Sequence, residues 1–306
     1  MRTIAHLSDL HFGRVDPAIP PALLRAVSAA MPHLVVMSGD FTQRARVREF
    51  EEAARFVEAL PVPVLSVPGN HDVPLYDVMR RWLSPLGRYR RYIASDLAPF
   101  YGDAEIAVLG VNTARSLTFK SGRINRRQIG AAVARLALCG PDVMRIVVTH
   151  HPFDATDGDP ADEARLAVLG RADMAMAGLL RVGVDIILSG HLHASGIGQT
   201  TMRYPLPAHA ALLIQAGTAT STRRRGEENS FNVVRIAERE VAIERMVWRP
   251  DRGDFTSAGT DRFLKAEVDW VHFGPPAGPA PEGGRDLGSG ATPLVTAPTA
   301  ANTKTP

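Results

Sequence analysis

Apolar residues in the first 190 positions fall into short runs separated by longer amphipathic stretches. The runs Thr3–Leu7, Leu34–Met37, Val62–Val67, Glu105–Val111, Arg145–Val148 and Val184–Leu188 have strand length. Helices are predicted between them, over Pro21–Met31, Val47–Leu60, Arg126–Leu138 and Glu163–Val182. Proline suits a helix start, as at Pro21, and stops a helix from within, as at Pro61. Strands alternating with helices argue for an α/β architecture. After His193 the pattern changes. Gly196–Arg203, Ala211–Gln215, Phe231–Ile236 and Val241–Val247 read as consecutive strands without long helices between them. They predict a second, more antiparallel sheet packed on the first. Residues 274–306 hold 13 Gly or Pro in 33 positions and almost no large apolar side chains. Such a composition buries too little surface to offset ordering entropy, so a disordered Gly/Pro/Ala-rich tail is expected after a folded domain of residues 1–273.

Five strand-like runs end in polar motifs: Asp9-Leu10-His11, Gly39-Asp40, Gly69-Asn70-His71-Asp72, His150-His151-Pro152 and Gly190-His191-Leu192-His193. Six of the ten histidines lie in them. Open α/β sheets carry their reactive residues just beyond the carboxyl ends of strands, so the five can converge from distant sequence. Oxygen and imidazole donors without cysteine suit manganese, iron or zinc better than a soft metal. Two such ions attract a phosphate, stabilise charge developing on its oxygens and acidify a water.

Taken in order, D-x-H, G-D, G-N-H-D, H-H-P and G-H-x-H resemble the calcineurin-like metallophosphoesterase superfamily, from about Met1 to Val247. The likeness is greatest to bacterial cyclic-nucleotide and glycerophosphodiester phosphodiesterases. Those share an opening like Leu7-Ser8-Asp9-Leu10-His11-Phe12-Gly13 and a stretch like Gly217-Thr218-Ala219-Thr220-Ser221 followed by Ser230-Phe231-Asn232. The resemblance implies a four-layer α/β/β/α sandwich of two mixed sheets with a dinuclear metal centre. It assigns one ion to Asp9, His11 and His193, the other to Asn70, His150 and His191, and makes Asp40 the bridge. His151 would stand behind the ligands. His71 would face the phosphate, stabilising the transition state or protonating the leaving alkoxide, with Asp72 orienting it. The implied reaction is attack of a metal-bridging hydroxide on a small phosphodiester, a 3′,5′-cyclic nucleotide being the leading expectation.

Other features change this picture little. The net charge is +3, carried almost entirely by arginine, with only Lys120, Lys265 and Lys304 as lysines. This reads as a mildly basic soluble enzyme without a stable nucleic-acid partner. No signal-length apolar stretch precedes Asp9, no run reaches 18 apolar residues, and Cys139 is the single cysteine. A cytoplasmic protein with no membrane segment and no internal disulfide is expected. Arg80, Arg81, Arg88, Arg90 and Arg91 follow the Gly-Asn-His-Asp loop, and Arg88, Arg90 and Arg91 are candidates to hold a substrate's second phosphate or nucleotide. Arg223, Arg224 and Arg225 raise the same question. The acidic loop Asp154–Asp162 is a candidate lid. His6 is expected to pack beneath the site, and His33, His209 and His272 to be structural. Rival functions within the superfamily are a DNA nuclease and a lipid-A-pathway pyrophosphatase. A protein Ser/Thr phosphatase is disfavoured, because Gly39-Asp40 leads into Phe41-Thr42-Gln43-Arg44-Ala45 rather than an Asp-Arg-Gly element. A metal-free protein-binding scaffold is the non-enzymatic rival, and it tends to lose ligands that this chain keeps.

Overall fold

Alternate side chains of the first strand, β1 (Arg2–Leu7), go to opposite faces. Ile4 joins one apolar cluster, while Ala5 and Leu7 join another. The second strand, β2 (Leu34–Met37), repeats this, with Leu34 and Val36 on one side and Val35 and Met37 on the other. A strand covered on both faces reads as a near-continuous apolar run, as Leu34–Met37 does in the sequence. The computed structural model describes residues 1–118, 121–154, 169–200, 204, 209–222 and 227–274.

Helix α1 (Ile19–Ala29) follows β1, and α2 (Val47–Glu58) follows β2. Next come β3 (Val64–Ser66) and two short helices, α3 (Val78–Leu83) and α4 (Gly87–Tyr92). Strands β4 (Phe100–Gly102) and β5 (Ile106–Gly110) precede α5 (Arg126–Leu136), which Asn125 caps by accepting from Gln128 N at 3.0 Å. Then follow β6 (Met144–Val148), α6 (Ala172–Arg181), β7 (Val184–Ser189), β8 (Gly196–Gln199) and β9 (Leu212–Gln215). Four antiparallel strands close the described chain: β10 (Ser230–Ala237), β11 (Glu240–Arg249), β12 (Asp254–Lys265) and β13 (Trp270–Phe273).

These strands form two mixed sheets, in the orders β13-β12-β11-β10-β1-β2-β3 and β4-β5-β6-β7-β9-β8. Between them lies one core, built from Ile4, Val36 and Val234 on the first sheet and Val108, Ile146 and Leu188 on the second. Helices α1 and α2 cover the outer face of the first sheet, and α5 and α6 that of the second. The four layers are therefore α/β/β/α.

The partition of strands differs from the sequence expectation. The C-terminal strands do not make a sheet of their own: β10 pairs antiparallel with β1, His6 opposite Asn232. The second sheet takes instead β4–β7 with β8 and β9. Pairing follows from which edge of β1 remains open once β2 has taken the other, and alternation within a strand carries no record of that. Strands β12 and β13, unread in the sequence, continue the sheet beyond β11. The helix expected from Glu163 begins at Ala172 among the described residues, after Arg171 in a left-handed conformation with φ +69°. Most of the acidic loop (155–162), the first part of that expected helix (163–168), Arg223–Arg225 and the tail beyond Gly274 lie outside the described residues.

Candidate metal centre

Seven candidate ligands sit within four residues of a strand's carboxyl end: Asp9 and His11 after β1, Asp40 after β2, Asn70 after β3, His150 after β6, and His191 and His193 after β7. Five of them hold left-handed backbones, with φ of +53° at Asp9, +51° at His11, +56° at Asp40, +78° at His191 and +61° at His193. Each such residue costs about 1–3 kcal/mol and persists only where its surroundings over-determine it. Here they do. Asp9 N donates to Gly39 O at 3.0 Å and His11 N to Asp40 O at 2.9 Å, locking the first two loops together. Thr218 Oγ1 donates to Asp9 O at 2.8 Å and Thr220 Oγ1 to Leu10 O at 2.6 Å, which gives the Gly217–Ser221 stretch its task. Two motif glycines are demanded by close approach. A Cβ at Gly69 would lie 2.0 Å from Asp40 Oδ1, and one at Gly190 would lie 1.8 Å from Ser8 Oγ.

The side chains converge in two groups. In the first, His193 Nε2 lies 3.3 Å from Asp9 Oδ1 and 3.3 Å from His11 Nε2, and His11 Nε2 lies 3.5 Å from Asp9 Oδ1. In the second, His150 Nε2 lies 3.1 Å from Asn70 Oδ1 and 3.2 Å from His191 Nδ1. Asp40 Oδ2 stands between, 3.7 Å from His11 Nε2 and 3.4 Å from His150 Nε2. Nitrogen and oxygen ligands at about 2.0–2.2 Å from a zinc-like ion sit about 2.8–3.6 Å from one another, so these spacings match ligands around common centres. Each carboxylate has one oxygen held and one bare. Asp9 Oδ2 accepts from Ser8 Oγ at 2.6 Å and His191 N at 2.9 Å, and Asp40 Oδ1 accepts from His71 N at 2.8 Å. Asp9 Oδ1 and Asp40 Oδ2 are buried and accept no hydrogen bond. A buried anionic oxygen without a partner is costly unless a cation meets it, so the residues fit a metal.

The charges agree. Burial alone would raise the pKa values of Asp9 and Asp40. For Asp9, the neighbouring His193 and His11 imidazoles outweigh it; for Asp40, His150 and His71 do. Both carboxyls stay ionised below the usual range. Burial pulls His150 down, but the negative charge of Asp40 beside it carries it up to about 9. Burial and the His150 charge hold His191 at about 3, with a lone pair to offer. The His150 ring is oriented by Nδ1–H donating to Ser38 O at 2.7 Å, leaving Nε2 toward Asn70 and Asp40.

His71 lies beside the first group, its ring centroid 4.8 Å from that of His11. Its orientation differs from expectation. Nδ1 is 2.8 Å from Gln43 O, and a carbonyl only accepts, so Nδ1 carries the proton. Asp72 does not take that role. Its Oδ2 accepts from Gly69 N at 2.9 Å and Phe41 N at 3.3 Å, and its Oδ1 from Thr42 N and Thr42 Oγ1, both at 3.0 Å. It clamps the Asp40 loop to the Asn70 loop, although burial and the Asp40 charge push its pKa up to about 7. His151 Nδ1 is 2.8 Å from Thr113 Oγ1, and its ring centroid is 4.6 Å from that of His191. Thr113 was missed in the sequence. Its signal was a polar Asn112-Thr113 pair at the end of a strand-like run, the same placement as the five motifs.

The arginines expected to meet substrate are tied elsewhere. Arg88 donates to Ala45 O at 2.7 Å, Arg90 to Ser95 O at 3.1 Å, and Arg91 lies over the Tyr92 ring at 5.4 Å. None of these partners belongs to the cluster. Arg81 is buried and donates to the carbonyls of Ser116, Pro74 and Thr118. His6 is buried beneath the site with Nε2 2.9 Å from Ser38 Oγ, and burial holds it neutral, at about 3.

The sequence profile of the calcineurin-like phosphoesterase family matches residues 2–195. The chain belongs to that family. Over 76 residues it is 34% identical to UDP-2,3-diacylglucosamine pyrophosphatase LpxG of Chlamydia muridarum, a match covering 24% of this chain and 23% of that one. The same enzyme of Chlamydia trachomatis matches equally, so the chain spans about a quarter of the length of these curated relatives. Among solved structures, the purple acid phosphatase PPD1 of yellow lupin superposes with a TM-score of 0.62 at 10% identity, over 84% of this chain and 52% of that one. At that identity the likeness is one of fold. Among the described residues no helix is long and apolar enough to cross a membrane.

Proposed function

We propose that this phosphoesterase hydrolyses phosphodiesters at a two-ion centre held by Asp9, His11 and His193 on one side and Asn70, His150 and His191 on the other, with Asp40 shared. The observation that carries this reading is the pair of bare, buried oxygens, Asp9 Oδ1 and Asp40 Oδ2, faced by imidazole nitrogens at 3.3–3.7 Å. Manganese, iron or zinc ions there supply Lewis acidity toward the phosphoryl oxygens and lower the pKa of a water. The chain's own residues do the rest. Asp9 and Asp40 bring the negative charge that retains the ions. His71, with Nδ1–H given to Gln43 O, turns Nε2 as the nitrogen that exchanges a proton with the leaving oxygen. A diester is favoured over a monoester by the match of Leu7–Gly13 and Gly217–Ser221 to bacterial phosphodiesterases, and a 3′,5′-cyclic nucleotide leads within that class. The single cysteine supports a cytoplasmic setting.

A second reading, cleavage of a nucleotide-linked pyrophosphate, is favoured by the 34% identity to LpxG over 76 residues. Both readings meet in one assay. The full chain, loaded in turn with manganese, iron and zinc, is offered bis(4-nitrophenyl) phosphate, 4-nitrophenyl phosphate, cyclic AMP, glycerophosphocholine and a UDP-linked sugar. Diester turnover at least tenfold above monoester turnover is expected. A preference for the monoester overturns the diester reading, and fastest turnover of the UDP-linked substrate selects the second.

A further inference from the structure

Beside the metal cluster lies a polar cavity of about 350 Å³, lined by Asn112, Arg115, Arg123, Asn125, Gln128 and Arg171 among others. Three arginines meet there, from the loop after β5, the approach to α5 and the start of α6. Arg115 is half-buried, and Arg123 and Arg171 are exposed. Among the described residues none of the three guanidiniums makes an ion pair. The neutral amides nearby are used to shape the wall. Asn125 Oδ1 accepts from Gln128 N at 3.0 Å, Gln128 Nε2 donates to Asn112 O at 2.6 Å, and Asn112 Oδ1 accepts from Ala114 N at 2.9 Å. Three guanidiniums lining one cavity repel one another, and an anion bound between them relieves that repulsion. Guanidinium forks match phosphate oxygens in geometry as well as charge.

The cavity adjoins the metal centre through a short relay. Arg123 N donates to Thr113 O at 3.0 Å, and Thr113 Oγ1 is 2.8 Å from His151 Nδ1. The His151 ring packs 4.6 Å from His191, and a Cβ at Gly122 would lie 2.3 Å from the His151 ring. Asn112–Arg115 follow β5 as His150 and His151 follow β6, so cavity and cluster share the carboxyl edge of the second sheet. Ligands of open α/β sheets bind along that edge.

We propose that Arg115, Arg123 and Arg171 form a subsite for a second phosphate of the substrate, removed from the scissile one, so that the enzyme prefers phosphoesters carrying two separate phosphate groups. This deepens the phosphodiesterase reading and rests on it, and within that class it turns the substrate away from a 3′,5′-cyclic nucleotide, which carries a single phosphate, toward a diester with a further phosphate group. The site replaces Arg88, Arg90 and Arg91 as the place where substrate charge is read, because those three are engaged with their own helix and its neighbours.

The test uses the metal-loaded full chain, bis(4-nitrophenyl) phosphate as substrate, and two competing nucleotides that differ by one phosphate, adenosine 5′-phosphate and adenosine 3′,5′-bisphosphate. The wild-type inhibition constant for the bisphosphate is expected to be at least tenfold lower. In the triple variant R115Q/R123Q/R171Q that advantage should fall below twofold, with kcat for the small diester within twofold of wild type. R115K/R123K/R171K should recover part of the advantage, and an unchanged melting temperature certifies the fold. Equal inhibition by both nucleotides in the wild type, or an advantage that survives in the glutamine variant, overturns the subsite. If the wild type turns over no diester at all, the phosphodiesterase reading fails separately, and calorimetric titration with the same two nucleotides still decides the subsite.

Discussion

Asp40 differs from Asp9 in facing imidazole nitrogens of both groups, and this sets its variant apart. Asp40→Ala should bring the metal content toward zero ions per chain, where loss of a one-sided ligand such as His193 should leave part of it. Elemental analysis of the purified variant decides the matter, and retention of two ions would remove Asp40 from its bridging place. His71 is expected to be separable from metal binding, its Nδ1 facing Gln43 O. His71→Ala should keep the metals and lose about 10²–10⁴-fold in kcat, the range of general acid help. The loss should shrink for a nitrophenol leaving group, and an equal loss with good and poor leaving groups would leave His71 only an electrostatic part. The identity of these residues was legible in the sequence. The partner of His71 was not, because a backbone carbonyl such as that of Gln43 exists at every position and only tertiary approach selects one.

At the scale of elements, the Asn70–Asp72 turn is held by Asp72, which accepts from three backbone amides and one hydroxyl belonging to two loops. Asp72→Ala strands those buried donors, each at a cost of about 1–3 kcal/mol. A loss of about 3–5 kcal/mol in urea unfolding is expected, together with reduced metal content as Asn70 drifts from His150. A stable variant that lost only turnover would restore Asp72 to the catalytic part first expected of it. Helices α3 and α4 hold the arginines that follow the Gly-Asn-His-Asp loop, of which Arg88, Arg90 and Arg91 were expected to meet substrate. Their buried Tyr89 and Arg81 show instead a packed connection, with Tyr89 Oη 2.8 Å from Ser66 Oγ at the end of β3.

For the whole molecule, the last described strand closes the barrier between core and solvent. Trp270 is buried, donates from Nε1 to Ala210 O at 3.2 Å, and accepts from Gln199 Nε2 at 2.9 Å, linking the two sheets. Trp270→Ala should cost about 3–5 kcal/mol, the usual range for a large core aromatic. Ending the chain after Phe273 should leave melting temperature and turnover unchanged, because every described strand is retained. A clear fall in either would show that residues 274–306 pack on the body.

The sequence by itself determined which side chains could serve as ligands and where along the chain they fall. Ligand types are covalent facts, their placement at strand ends is local, and consecutive apolar residues in β2 (Leu34–Met37), β6 (Ile146–Val148) and β7 (Ile186–Leu188) already call for cover on both faces. Only the tertiary structure decided which strands share a sheet, that Asp72 clamps loops while Gln43 steers His71, and that Arg115, Arg123 and Arg171 gather beside His151. Each of these depends on contacts between segments far apart in the chain, such as β1 with β10, and no local pattern encodes which distant partner an open edge or an unpaired charge will meet.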